Sequence, residues 1–165
     1  MAKHETTLRF LAEPTDVNFG GKVFGGSVMK WIDHAGYSCA ANWSRKYCVT
    51  AYVGGIRFLQ PIGIGDMVEL RAEIMHTGNT SMHISVSVYA HNPTDEELRF
   101  TTHCILVFVA VDSDGKPTSV PSYTPETPRG RRLGEYARKM IELRQNMHDE
   151  VESFLDDMAE QIPDE

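Results

Sequence analysis

A pair of glycines running straight into an unbroken helical pattern constrains this fold more than any other feature of the chain. Residues 18–33 read Asn-Phe-Gly-Gly-Lys-Val-Phe-Gly-Gly-Ser-Val-Met-Lys-Trp-Ile-Asp. Gly25-Gly26 permits close backbone approach and positive φ, and Ser27 is expected to cap a helix. Apolar residues then recur at Val28, Met29, Ile32, Ala35, Gly36, Cys39, Ala40 and Trp43, the period of one helical face. At about 100° per residue Asp33 falls just outside that stripe, with Lys30, Trp31, His34 and Ser38 further round. A carboxylate at the rim of a dry face can be tuned by desolvation and still be reached by substrate and water.

A helix this apolar needs a covering layer, and the remaining segments supply one. Residues 6–11 alternate as a first strand, ended by Pro14. The helix runs to about Ser44–Lys46, and residues 49–59 form the next strand. Gly54-Gly55 in its middle marks a bulge or a ligand lying against the backbone. Pro61 and residues 63–66 turn the chain. In residues 67–76, Val68, Leu70, Ala72 and Ile74 alternate with Glu69, Arg71 and Glu73. After a turn at Gly78-Asn79, Met82, Ile84, Val86, Val88 and Ala90 alternate with His83, Ser85, Ser87 and Tyr89. This is a strand pair with one dry and one wet face. Residues 98–111 are apolar on both faces beyond His103, so that strand should be central. One long helix against one antiparallel meander is an α+β arrangement.

Residues 112–132 hold four prolines, Pro117, Pro121, Pro125 and Pro128, and read as an extended arm. From Leu133 a helical pattern returns through Ala137, Met140, Met147, Val151, Phe154 and Met158, interrupted by Arg144. An amphipathic helix of this kind packs on its own domain or on a neighbouring subunit. The expected division is a domain over 1–125 and an arm with helix over 126–165.

Charge narrows the partners. The chain carries a net −7, yet residues 142–165 alone hold nine acids against one base, so the remainder is close to neutral. Phosphate backbones need a concentrated basic face, so nucleic acid is not an expected partner. A small polyanionic ligand held by a few local bases is compatible. Three cysteines without CxxC spacing point to reduced thiols and a cytoplasmic setting. No long uncharged apolar run and no signal-peptide h-region occur, so no membrane is expected either.

The chemistry-bearing residues thin out quickly. Histidines are scattered on strands, strand ends and the helix, with no HxxxH or CxxC pairing, so no metal site is expected. A serine nucleophile elbow, GxSxG, is absent; Gly25-Gly26-Ser27 matches it only superficially. Cys39 and Cys104 sit in apolar company and read as core. Asp33 and Asn18 remain. Asp33 is suited to act as a base toward water, while Asn18 offers an amide to orient water or a carbonyl, or else simply forms the turn before Gly20. Free N–H groups at the helix start give Gly26 the role of an oxyanion donor.

Several of these motifs occur together and in order. The set comprises residues 14–18, Gly21-Lys22-Val23-Phe24-Gly25-Gly26, Trp31-Ile32-Asp33, Phe58-Leu59-Gln60-Pro61-Ile62, Gly65-Asp66, residues 78–82, residues 108–112, Gly115-Lys116-Pro117 and Val120-Pro121. In this the chain resembles the hotdog-fold acyl-CoA thioesterases, specifically the bacterial group related to brain-type acyl-CoA hydrolases, over residues 8–125. The resemblance implies a hotdog fold, a long helix wrapped by a curved antiparallel sheet. It also implies dimers joined edge to edge, three of which form a hexamer, and an active site shared across the dimer. The family's acid corresponds to Asp33 and its active-site asparagine to Asn18. Gly25, Gly78, Thr80, Ser81 and the strand reaching Arg57 would line the coenzyme A path, with Arg57 a candidate phosphate partner or a structural ion pair. Arg129, Arg131 and Arg132 form a basic cluster, expected by default in a solvated hinge, with contact to the nucleotide phosphates as the alternative. The implied activity is hydrolysis of acyl-CoA, with Asp33 as general base or as nucleophile. No cofactor is implied beyond the coenzyme A of substrate and product. A non-catalytic acyl-CoA-binding or sensing domain on the same fold is the alternative, and Asp33 is the feature that discriminates against it, since a pure binder has no use for an acid beside the thioester. A hotdog dehydratase would want an active-site histidine, which His34 is poorly placed to provide.

Overall fold

The computed structural model describes residues 3–95 and 97–159. It divides into two compact units, residues 1–124 and 125–165. In the first unit a short 3-10 turn, Pro14–Asp16, links strand β1 (Glu5–Leu11) to helix α1 (Gly25–Ser44). Strands β2 (Tyr47–Phe58), β3 (Met67–Thr77), β4 (Ser81–His91) and β5 (Arg99–Val111) follow. They form one antiparallel sheet in the order β1-β3-β4-β5-β2. This is the α+β hotdog arrangement, with β5 inside the sheet as its two-sided apolar pattern requires and β2 at an edge.

The helix lays Val28, Ile32, Ala35, Gly36, Cys39 and Ala40 on the sheet. Against them stand Leu70, Ile84, Val86, Leu106 and Phe108, all essentially inaccessible. Gly36 is required by this approach: a Cβ there would stand 2.8 Å from Phe108 Cε2 and 3.1 Å from Leu106 Cδ1. Its helix-propensity cost of about 1 kcal/mol is smaller than the roughly 1–3 kcal/mol that overpacking a core costs. The stripe is narrower than its periodicity suggests. Met29 is exposed, and Trp43 is only half-buried, its Nε1 donating to the Pro121 carbonyl at 2.9 Å.

Ser27 is not the cap. The cap position is Phe24, and the helix begins three residues earlier than the serine suggests, with no side-chain capping bond. The Phe24 ring folds back over Gly26, where a Cβ would lie 2.8 Å from its Cε1. A tertiary contact therefore sets the start of the helix. At the other end Arg45 closes it in the left-handed conformation, φ 58°, its N–H donating to Ala41 O at 2.9 Å.

The wet face of β3–β4 is drier than its alternation implies. Glu69, Glu73, His83 and Ser85 are buried, and so is Met75, which sits at a bulge between Ile74 and His76 that breaks the two-residue period. Glu69 shows one cause. Arg9 on β1 and Arg71 on β3 both donate to its carboxylate, and the Arg71 guanidinium also lies 4.6 Å from the Tyr89 ring centre. Burial pushes the Glu69 carboxyl pKa up, but the two arginine hydrogen bonds and charges outweigh it, and the net shift is downward. A carboxyl depressed in the folded state adds stability above its unfolded value, about 4.3, which is lost as pH falls through the folded one. We expect Glu69→Gln to lower stability at neutral pH and to reduce the difference from the parent progressively below about pH 4. Urea denaturation at stepped pH measures this; a constant difference would exclude the linkage.

The second unit contains α2 (Pro128–Ala159). This helix starts before Leu133, where the periodicity had placed it. Thr127 caps it, accepting the Gly130 N–H on Oγ1 at 3.0 Å and the Arg131 N–H on its carbonyl at 3.0 Å. Pro128 takes the first helical position, where its missing N–H costs nothing. Arg129, Arg131 and Arg132 thus lie in the opening turns of a helix rather than in a hinge. No helix among the described residues is long and apolar enough to cross a membrane.

Candidate active site

Helix α1 runs antiparallel to the edge strand β2. Gly25 lies beside Phe58, and Tyr37 meets Tyr47 edge-on at 6.2 Å. Between them, Asp33 meets Thr50, whose Oγ1 donates to Asp33 Oδ1 at 2.7 Å. The acid is half-buried, at the rim where its helical position puts it. Thr50 was not among the residues the sequence singled out. A threonine near the start of a strand is ordinary, and only the strand's register with the helix reveals its partner.

The turn between β3 and β4 lies at the same end of the sheet. Ser81 pairs with Val109 and Met82 with Phe108, while Val49 and Thr50 pair with the same two residues from the opposite side. Within the turn, Gly78 N–H donates to Ser81 O at 2.9 Å, and the Thr80 carbonyl accepts from Ala110 N–H at 3.0 Å. Gly78, Thr80 and Ser81 are therefore held by the backbone and separated from Thr50 by the width of β5.

At the helix start, Ser27 and Val28 both donate to the Phe24 carbonyl, at 2.9 and 3.2 Å. The Gly25 and Gly26 N–H groups lie ahead of the helical ladder, where α-helices leave donors unpaired. A cleft of about 360 Å³ opens beside them, lined by Gly25, Val28, Phe58, Leu59 and Ile62. The adjoining loop is tied down by Arg99, which donates to the Pro61 carbonyl at 3.0 Å and to Asp66 Oδ2 at 2.7 Å.

Asn18 is exposed and forms a turn. Its Oδ1 accepts the N–H groups of Gly20 at 2.9 Å and Lys22 at 3.3 Å, which leaves the amide nitrogen as its free donor. No hydrogen bond among the described residues joins Asn18 to Asp33 within the chain. Arg57 is exposed beside the bulge at Gly54, with Gly55 at φ 61°. It makes no ion pair with another described residue.

The cysteines are disabled as nucleophiles. Burial pushes the Cys39 thiol up to about 12 and Cys104 up to about 11, and it also raises Cys48. Each is protonated at neutral pH and unreactive. Burial lowers the His103 pKa, so its imidazole is neutral there. The ligand atoms of His4, Glu5 and Glu73 lie within 4.8 Å of one another; Glu5 is on β1 and Glu73 on β3, with His4 just before β1, at the edge opposite β2.

Comparison with known proteins decides the family. The thioesterase superfamily profile matches residues 20–97. The acyl-CoA thioester hydrolase YciA of Salmonella typhimurium is 37% identical over 120 residues, 71% of this chain and 90% of that one. The chain belongs to the acyl-CoA thioester hydrolases of the thioesterase superfamily. Among solved structures, an apo-hexameric acyl-CoA thioesterase superposes on this hydrolase with TM-score 0.85 at 35% identity, covering 88% of this chain and 93% of that one. An acyl-CoA hydrolase of Staphylococcus aureus, solved with butyryl coenzyme A and coenzyme A, gives TM-score 0.87 at 26% identity, covering 96% and 97%. That enzyme has also been solved with an asparagine, an aspartate and a threonine each replaced by alanine. The three positions are separated by the same two intervals along the chain as Asn18, Asp33 and Thr50.

Proposed function

We propose that this thioester hydrolase cleaves acyl-CoA with Asp33 as general base, Thr50 as the residue that positions it, Asn18 as an orienting amide and Gly26 N–H as oxyanion donor. The Thr50–Asp33 hydrogen bond carries the proposal. It fixes one carboxylate oxygen and leaves the other to take a proton from water. The hydroxide so formed adds to the thioester carbonyl, and the developing oxyanion is met by a helix N-terminal amide. The C–S bond then breaks, releasing coenzyme A as a thiolate and the acyl group as a free acid. A thiolate is a good enough leaving group that no dedicated acid is required.

One subunit does not hold the whole site. Gly26 precedes Asp33 by two helical turns, about 10 Å along the axis. A single acyl carbon needs its oxyanion donor about 3 Å away and the base within one water of it. In our reading the carbonyl held by Gly26 and Asn18 of one subunit is attacked from Asp33 of another. The edge strand β2 supports such a pairing, since Tyr47, Val49, Val53 and Phe58 on it are exposed. Two further relatives are described as hexameric thioesterases, and a trimer of such dimers is our reading here. Arg57, which makes no ion pair with another described residue, is assigned to the coenzyme A phosphates, and Gly25, Gly78, Thr80 and Ser81 to its path. We place the reaction in the cytoplasm, with no cofactor of the enzyme's own.

Thiol release from acyl-CoAs of short to long chain tests the activity directly, and no release from any of them would refute it. Thr50→Val keeps the side chain's shape and removes the donor. A hydrogen bond to a charged group is worth about 1.5–3 kcal/mol, so kcat should fall roughly ten- to a hundredfold with KM little changed, and Thr50→Ser should restore it. An unaltered Thr50→Val kcat would remove the positioning role.

A further inference from the structure

Helix α2 carries its charges in the reverse of the order a helix favours. Residues 128–144 hold six lysines and arginines against two glutamates, and residues 145–159 hold five acids and no lysine or arginine. Its first turn has no acid and its last no base, so both ends oppose the macrodipole. An apolar stripe also runs its length: Leu133, Tyr136, Met140, Leu143, Met147, Val151, Phe154 and Met158, in steps of three and four. Much of it is open to solvent, with Leu143 51%, Met147 60% and Phe154 61% exposed. Helices draw most of their stability from packing such a face rather than from propensity.

We infer that α2 pairs antiparallel with α2 of a second copy of this chain, about a two-fold axis near Gln145. That operation sets Leu143 against Met147, Tyr136 against Phe154, Met140 against Val151 and Leu133 against Met158 of the other helix. It brings each basic half against an acidic half, which relieves the charge order that a lone helix tolerates poorly. The flanks agree with the seam. Lys139 and Glu150 are exposed on the same side of the stripe, and the same axis places each opposite the other across the pair, as flanking charges of an antiparallel coiled coil are placed. A parallel pair would set like charge against like. The contact is isologous, and it stands independently of the catalytic reading.

Cross-linking of the full-length protein tests the inference. Lys139→Cys/Glu150→Cys places two thiols about 16 Å apart along one helix, beyond a short bismaleimide, yet next to each other across the proposed pair. The native cysteines are buried and give little background. At low protein concentration the double variant should yield a covalent dimer on a denaturing gel, and neither single variant should. Adding the charge-reversed background Arg138→Glu/Arg144→Glu should reduce that yield several-fold. No dimer from the double variant would overturn the pairing and leave the stripe to another partner. Equal yields from the single variants would overturn the register.

Discussion

Asp33→Asn should lower kcat by about a hundred- to ten-thousandfold, the range that a positioned general base supplies, while KM changes little. The substitution preserves size and leaves an oxygen to accept from Thr50 Oγ1, so the helix and its contact with β2 remain. What it removes is the ability to take a proton. If Asp33 served only binding, KM would rise with kcat unchanged, because uniform binding raises no barrier. Single-turnover thiol release at saturating acyl-CoA separates the two, since it reports the chemical step free of product release. A single-turnover rate within a factor of a few of the parent would sink the assignment. The same experiment discriminates a binding module from an enzyme, because a module shows no burst of thiol in either form.

The parts of the fold that were legible share one cause: their pattern is local. The stripe from Val28 to Ala40 and the alternation of β4 depend only on which residues face one layer, so periodicity finds them. The bulge at Gly54-Gly55 was visible because glycine is costly in a strand without a reason, and Gly55 does adopt positive φ. What was misread depended on distant residues. Ser27 has the chemistry of a cap, but the Phe24 ring over Gly26 moved the start of the helix. Glu69 alternates as a solvated residue, yet arginines on two strands enclose it. Pro128 reads equally as a breaker and as a first helical residue, so the arm was carried too far. Within the site, Asp33 stood out because a carboxylate at an apolar rim is unusual, whereas Thr50 is an ordinary strand residue until its partner is known.

Two inactive variants should restore one another when combined. Asn18→Asp keeps an acceptor for the Gly20 and Lys22 N–H groups and so preserves the turn, but it deletes the amide donor that would face the substrate. Paired with Asp33→Asn, it creates two subunits that each lack a different half of the proposed site. If both halves came from one chain, every site in a mixed population would lack one group, and activity would stay at the level of the separate variants. A site built across the two-fold behaves differently. Random assortment makes half of the dimers mixed, and each mixed dimer has one site with Asn18 from one chain and Asp33 from the other, so about a quarter of all sites are intact. Unfolding and refolding the two variants together should therefore recover about a quarter of the parent kcat per subunit. Mixing them without unfolding should recover little until subunits exchange. Refolding each variant alone controls for revival by the treatment itself. The helical spacing favours this outcome: an amide and a carboxylate about 10 Å apart on one rod reach the same carbonyl only at full stretch through a water, whereas the same two groups on facing rods can close on it directly.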